Sequence, residues 1–313
     1  MKIIDGGVTA AKGFKAAGMH AGIKKGTKKV MAMIVRSAHC MEAGTFKPNL
    51  VTAEPVKWDQ HVVYEHGEAR AVVVNSGIAN ACTGAEGYGY CEETAKAAAE
   101  ALGIDKDEVL VASTGVIGKQ LPIDTIKKGV KDLSGLLLDT REAATLAAES
   151  IMTTDTVKKE VAVEVEIGGK TVTIGGMCKG SGMIHPNMCT MLSFVTTDAA
   201  IAQPLLLEAL QADVCDTYNM ISVDGDTSTN DTCLLLANGM AENPVISEKN
   251  EDYDRFCEAL RTVNEYLAKQ MAGDGEGATA LFEVKVIGAE TKEQAKIISK
   301  SVITSNLTKA AIY

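Results

Sequence analysis

The stretch from Lys179 to Asp198 constrains this chain more than any other: Lys-Gly-Ser-Gly-Met-Ile-His-Pro-Asn-Met-Cys-Thr-Met-Leu-Ser-Phe-Val-Thr-Thr-Asp. Gly180-Ser181-Gly182 leaves the backbone free, and Pro186 then fixes a bend. An apolar strand follows, with Thr190 near its mouth. A small residue followed by threonine, at the entrance of a buried strand, is the layout a self-cleaving chain requires. The Thr190 hydroxyl attacks the carbonyl of Cys189 and the chain breaks. Thr190 then becomes a new N-terminus, whose own amine serves as base for its own hydroxyl. The residues alone leave another reading open, a β-branched residue that simply packs in a strand.

The surrounding pattern alternates strands and helices, an α/β arrangement. Ala69 to Asn75 reads as a buried strand, followed by a Gly-rich loop from Asn75 to Gly84. Glu92 to Leu102 has helical spacing and stops at Gly103. Glu108 to Ala112 is a strand leading into Ser113-Thr114-Gly115, and Pro122 fits the first turn of a helix reaching Leu136. Arg141 to Met152 is helical. Glu160 to Val172 alternates apolar and polar residues around Gly168-Gly169, the mark of a hairpin. Leu205 to Val214 reads as helix, Asp231 to Ala237 as strand, and Asp252 to Met271 as a long amphipathic helix. Leu281 to Ile287 reads as strand, Lys292 to Val302 as helix, and Ala310 to Tyr313 as the start of a further strand. Neither side of Thr190 holds a complete set of elements, so strands from both must share a sheet layer. The long helix from Asp252 and a strand edge after Tyr313 are the expected oligomer contacts.

Composition narrows the function classes. With 313 residues, the chain makes one large or two smaller domains. Aromatics are only 4%, so the core must be aliphatic. A net charge of −10, with Lys and Arg scattered, argues against nucleic acid or an anionic membrane as partner. No N-terminal apolar segment resembles a secretory signal, and no apolar run is long enough to span a bilayer. The eight cysteines form no Cys-x-x-Cys pair, which fits reduced thiols in a cytoplasmic protein.

Other candidates are weaker. Ser113-Thr114-Gly115 at a strand end can converge backbone N–H groups on one point, as an oxyanion hole needs, or can be a plain turn. Lys179 enters the Thr190 loop and suits an anionic substrate. Glu276, in a Gly-rich loop, suits a substrate amine or is a solvated charge. Asp224 to Asp231 imitates a calcium loop, but Thr229 stands where glycine is needed and Leu235 where the closing Glu is needed. It reads instead as a polar turn tying down a buried strand near the active site. His185 with Ser181 or Cys189 is a further nucleophile–base pairing that spacing leaves open. No Gly-x-Gly-x-x-Gly, Walker loop or His/Cys metal cluster is present.

Taken together, Gly6 to Phe14, Ala79 to Gly84, Ser113 to Gly118, Met152 to Asp155, Lys179 to Asp198, Asn219 to Thr232 and Leu236 to Gly239 resemble the ornithine acetyltransferase family. This is the bifunctional glutamate N-acetyltransferase family of arginine biosynthesis, and the resemblance runs over essentially the whole chain. It implies a self-processing α/β layered sandwich of the DmpA and ArgJ-like type, with N-terminal nucleophile architecture. Residues 1–189 would be the alpha chain after autocleavage at Cys189/Thr190, and residues 190–313 the beta chain. Thr190 would be the nucleophile, and Thr114 and Gly115 the oxyanion hole. Thr153, Lys179 and Thr190 would contact the amino-acid substrate, and Glu276 its amine.

The implied reaction moves the acetyl group of N-acetylornithine to glutamate, without metal or organic cofactor and with acetyl-CoA as an optional co-substrate. The implied partners are these small molecules and the chain's own fragments, as a heterotetramer. Three departures stand out. Cys189 replaces the usual Ala before the nucleophile, Ser37 to Glu42 is unlike the family pattern, and family members continue past Ala310 with further substrate contacts. On that comparison the chain reads as C-terminally incomplete. Two alternatives accompany the transferase: a self-processing aminopeptidase or amidase of the same fold, and an uncleaved non-catalytic fragment.

Overall fold

The computed structural model describes residues 1–24, 26–37, 41–46, 51–185 and 191–312. In chain order the strands are β1 (Lys2–Ile4), β2 (Phe14–Met19), β3 (Met31–Arg36), β4 (Met41–Phe46), β5 (Ala71–Ile78), β6 (Val109–Val116), β7 (Lys159–Ile167), β8 (Lys170–Lys179), β9 (Leu192–Thr197) and β10 (Thr232–Ala237). The α-helices are α1 (Glu54–His61), α2 (Gly84–Leu102), α3 (Ile123–Ser134), α4 (Arg141–Ser150), α5 (Gln203–Asp216), α6 (Glu251–Gly273), α7 (Lys292–Ile303) and α8 (Asn306–Ile312).

Two sheets form the centre. The six-stranded sheet runs β1-β7-β8-β9-β10-β4 and the four-stranded sheet runs β2-β3-β5-β6. β9 and β10 are parallel neighbours, flanked by antiparallel β8 on one side and antiparallel β4 on the other. Strands from before and after Thr190 therefore do share a sheet, as the incomplete halves require.

Why these segments form inner strands follows from their composition. Leu-Ser-Phe-Val-Thr-Thr and Thr-Cys-Leu-Leu-Leu-Ala are buried at every position, the mark of strands covered on both faces. The register sorts their side chains. Met177, Phe194 and Leu234 lie side by side and join the core shared with Met33, Val73 and Leu110 of the four-stranded sheet. Cys178, Val195 and Leu235, on the opposite face, pack with Leu206 and Leu210 of α5 and with Phe256, Leu260, Val263 and Leu267 of α6. That spacing along α6 is one helical stripe. Asn250 caps α6 by accepting the Tyr253 N–H at 3.1 Å, with Glu251, Asp252 and Asp254 in the favourable first turn. Helices α1 to α4 pack with the four-stranded sheet, where α2, α3 and α4 contribute Ala95, Val130 and Ala147 to its core.

Several expectations need correction. Leu281 to Ile287 is irregular rather than a strand, and most of its residues are exposed. Ala310 to Ile312 lies in helix α8, so no strand edge is offered there, and Tyr313 lies outside the described residues. The Gly-rich stretch after Asn75 begins as strand, because β5 continues to Ile78 alongside β6, which likewise runs through Thr114 and Gly115. α2 starts at Gly84, eight residues before the expected Glu92. The strands β1 to β4 were not marked by their own sequences: three of them are short or interrupted by Gly and charge.

Among the described residues no helix is long and apolar enough to cross a membrane, and no cluster of three or more His, Cys, Asp or Glu could hold a metal ion. Cys91, Cys178 and Cys233 are buried free thiols; burial pushes all three up, Cys233 to about 12. Cys40 and Cys189 lie outside the described residues.

Candidate active site

Five strand ends meet at one edge of the molecule. Register places Lys179 at the end of β8 beside Leu192 at the start of β9, and Leu192 beside Thr232 at the start of β10. The ends of parallel β5 and β6 approach the same edge. Between them lies a cavity of about 450 Å³. Thr114, Gly115, Thr153, Lys179 and Glu276 all line it, as do Met191 and Leu192. These side chains come from five separate stretches of sequence. Thr190 and Cys189 lie outside the described residues, as does Pro186. Met191, the next residue after Thr190, lines the cavity.

One wall is shaped by backbone. Gly77 and Gly115 are register partners at the strand ends, with φ of 121° and 131°. A Cβ on Gly115 would lie 2.3 Å from the Gly77 carbonyl carbon, so no side chain fits. The register shifts here, with Ile78 facing both Thr114 and Val116, which bends the pair at the cavity rim. Asn75 and Asn230 hold this bend. Ser113 Oγ donates to Asn75 Oδ1 at 2.6 Å, and Asn75 Nδ2 donates to the Ile78 carbonyl at 2.9 Å. Asn230 Nδ2 donates to the carbonyls of Ala79 (2.5 Å) and Ser113 (2.9 Å), stapling the approach to β10 onto both strand ends.

The other lining residues, Thr153, Lys179, Gly182 and Glu276, are backed by a charged lattice. Asp155 Oδ1 accepts from Lys159 Nζ at 2.7 Å and from Gly180 N–H at 2.8 Å, while its Oδ2 accepts from Thr153 N–H at 3.0 Å. Lys159 Nζ also reaches Asp274 Oδ2 at 2.6 Å. Asp274 in turn takes the N–H of Thr156, and its carbonyl accepts Ser181 Oγ at 2.7 Å. Glu276 N–H donates to the Ser181 carbonyl at 2.9 Å, and the Glu276 carboxylate lies against Gly182, where a Cβ would meet it at 2.5 Å. The lattice thus places Thr153, Lys179 and Glu276 relative to one another.

Its charges are mutually held. Burial would raise the Asp155 pKa, but Lys179 and Lys159 outweigh it and the carboxyl sits below its usual range. Burial opposes the Lys159 charge, yet Asp155 and Asp274 win and raise its pKa. Lys179 is nearly fully buried at the end of β8; burial lowers its pKa, against the raising effect of Asp155 and Asp231. Removing one member would leave a buried ion without its partner.

The polar turn before β10 also reaches the cavity, through Asp224, Asp226, Ser228, Asn230 and Asp231. Asp224 accepts the N–H groups of Met183 (2.6 Å) and Ile184 (2.9 Å), so it ties the loop after β8. His185 is engaged elsewhere, with Nδ1 and Ser222 Oγ 3.0 Å apart, and Ser181 spends its hydroxyl on Asp274. The His185–Ser181 pairing is therefore not formed. Sequence reasoning did not single out Lys24 or Lys159. Asp155 and Asn230 entered it only as members of the stretches Met152 to Asp155 and Asp224 to Asp231, with no role of their own, although the second stretch was placed near the active site as the structure has it.

A family model matches residues 15–313, and its description is the ArgJ family. The chain belongs to the ArgJ family. The arginine biosynthesis bifunctional protein ArgJ of Symbiobacterium thermophilum is 51% identical over 315 residues, covering 100% of this chain and 78% of that protein. Among solved ArgJ-family structures, the ornithine acetyltransferase of Mycobacterium tuberculosis complexed with ornithine is 40% identical, with a TM-score of 0.56. That match covers 59% of this chain and 98% of the solved one. A Burkholderia sp. beta-aminopeptidase, 12% identical, has a TM-score of 0.56 and matches 97% of this chain and 95% of its own. At that identity the likeness shows a common fold and nothing more. The layered α/β architecture is thus that of the ArgJ family, and it extends to an aminopeptidase.

Proposed function

We propose that the chain transfers the acetyl group of N-acetylornithine to glutamate, giving ornithine and N-acetylglutamate. The observation that carries this reading is membership of the ArgJ family over residues 15–313. The cavity supports it, since Thr114, Gly115, Thr153, Lys179 and Glu276 line one space, with Met191 beside them.

In the proposed sequence Thr190 Oγ first attacks the Cys189 carbonyl, forming an ester as the peptide C–N bond breaks. Breaking that bond frees the Thr190 amine, and water then cleaves the ester, giving a Cys189 carboxylate and restoring the Thr190 hydroxyl. A share of about three fifths is matched by almost all of the solved ornithine acetyltransferase chain, and residues 1–189 make up the same share here. That agreement supports a boundary at Cys189/Thr190. In the transfer reaction the Thr190 amine, with an ordinary pKa of about 8, accepts the hydroxyl proton. The oxygen attacks the acetyl carbonyl, whose developing charge is held by donors from Thr114 and Gly115, a contribution of roughly 3–4 kcal/mol per donor. The amine leaves as ornithine after taking up the proton. Glutamate then attacks the acetyl ester through its own amine and restores the threonine hydroxyl. Thr153 and Lys179 hold the substrate, Glu276 meets its amine, and no metal or organic cofactor enters. Acetyl-CoA as an alternative donor, a heterotetramer of the two fragments and a cytoplasmic location complete the proposal.

Thr190→Ala is expected to abolish both chain scission and transfer, read by intact mass and by N-acetylglutamate formation. Thr190→Ser is expected to keep part of both, because it retains the hydroxyl. A Thr190→Ala chain that still splits into two would overturn the nucleophile. Ornithine released from N-acetylornithine equally well without glutamate would make the protein a hydrolase.

A further inference from the structure

Resting on that reading, the two amino acids to be accommodated pose a problem of charge. Ornithine carries one carboxylate and two amines. Glutamate carries two carboxylates and one amine. If both present their reacting α-amine to the same threonine, their side chains end in opposite charges within one cavity. The acidic residues are abundant: Glu276, Asp224, Asp226 and Asp231 line it. Cations are scarce. Among the described residues lining the cavity only Lys24 and Lys179 are basic. One carboxylate common to both substrates occupies one lysine. The second carboxylate of glutamate needs the other.

Lys179 is anchored at the end of β8, nearly fully buried and engaged with the Asp155 and Asp231 charges, a fixed feature suited to the carboxylate that both substrates share. Lys24 differs on each count. It lies in the segment between β2 and β3, half-buried, and makes no ion pair among the described residues. Its stem lies along Gly77, with Cε 2.8 Å from where a Cβ there would be. Gly77 is the register partner of Gly115, so Lys24 stands on the backbone-shaped wall, away from the lattice of Lys159, Asp155 and Asp274. The glycine also explains how the stem fits: any side chain at position 77 would displace it. Burial and the nearby Lys28 draw its ammonium below its ordinary pKa, which marks it as a cation without a compensating carboxylate.

We propose that Lys24 is a specificity-determining residue that receives the side-chain carboxylate of the acceptor glutamate, while the acidic residues of the same cavity serve the side-chain amine of ornithine.

The test compares two acceptors that share one donor. Transfer from N-acetylornithine is followed to glutamate and, with isotopically labelled ornithine, back to ornithine; calorimetric binding of glutamate and ornithine to the same full chain is measured in parallel. Lys24→Met is expected to lower the ratio of kcat/KM for glutamate to that for ornithine by roughly tenfold or more, as loss of one charge-assisted hydrogen bond does. Glutamate binding should weaken by a similar factor and ornithine binding should hold or tighten. Lys24→Arg should restore most of the ratio, which a variant damaged only in folding would not allow. Equal losses for both acceptors, or an unchanged ratio and unchanged glutamate binding, would overturn the assignment. Absence of transfer by the unmodified chain, with selective loss of glutamate binding in Lys24→Met, would sink the transferase reading and leave the Lys24 assignment standing.

Discussion

The two walls of the cavity are built on different physics. The wall of β5 and β6 owes its shape to exclusion: Gly77 and Gly115 are pressed together so closely that geometry alone fixes the rim. The wall of Thr153, Lys179 and Glu276 owes its shape to attraction between the buried charges of Asp155, Lys159 and Asp274 behind it. The first kind is indifferent to pH and salt but intolerant of a single methyl group. The second tolerates changes of volume but fails when a charge is lost. A reaction that develops charge at one point and binds charged substrates at another can use both.

The sharpest way to break the contrast is on the backbone side. Gly115→Ala drives a methyl group into the Gly77 carbonyl at a φ of 131°, and is expected to cost roughly 4 kcal/mol or more by urea unfolding. Gly118 is the control: its φ is 75° but nothing lies within 4 Å of the added Cβ, so alanine there should cost only about 1–2 kcal/mol. Similar losses at both positions would mean that strain, rather than contact, shapes this wall.

On the charged side, Asp155→Asn keeps size and removes charge. It leaves Lys159 and Lys179 under-compensated and is expected to cost roughly 3–5 kcal/mol. Because the Asp155 pKa is held below its usual value of 3.8, its contribution is complete above that pH and disappears as pH falls through the depressed value. The difference between the original chain and Asp155→Asn should therefore shrink only in strong acid. A difference that stays constant down to pH 2 would remove the electrostatic account.

A smaller effect of opposite sign sharpens the comparison from outside the cavity. Glu42 in β4 is buried, with Oε2 taking the Ala69 N–H at 2.7 Å, and burial raises its pKa from 4.5 to about 7. The folded state holds that proton more firmly than the unfolded chain. Stability is therefore favoured below pH 4.5 and falls as pH rises towards 7, by an amount of the order of 3 kcal/mol. Glu42→Gln should flatten that slope, and thermal melts between pH 4 and 8 read it.

The contrast also explains what could be read from the amino acids. Thr114 and Gly115 stood out because a strand that ends in a polar residue and a glycine is a local pattern. The β7–β8 hairpin was marked by Gly168-Gly169, and α6 by its apolar stripe. The ion lattice was hidden. Asp155 and Lys159 are four residues apart, but Asp274 comes 115 residues after Lys159, and no spacing rule joins them. Lys24 was hidden for the same reason, since it lies between β2 and β3 and its neighbour Gly77 lies on β5. Leu281 to Ile287 failed in the other direction. Its alternation suits a strand, but strand identity depends on a neighbour to pair with, and none of the described strands lies beside it. At the end of the chain, Lys309-Ala310-Ala311 favours helix by intrinsic propensity, and that local preference prevails in α8.

The interleaved six-stranded sheet carries one more implication. β9 and β10 touch each other and are bordered by β8 and β4, both of which precede Thr190. Once the chain is cut before Thr190, the later piece has no sheet of its own to fall back on. Denaturation then releases two polypeptides, and recovery becomes a bimolecular encounter, second order in protein. The melting temperature of cut material should climb more steeply with concentration than that of uncut Thr190→Ala, because its unfolding releases twice as many pieces. The proposed scission would thus turn a self-contained folding problem into one that depends on two pieces meeting again.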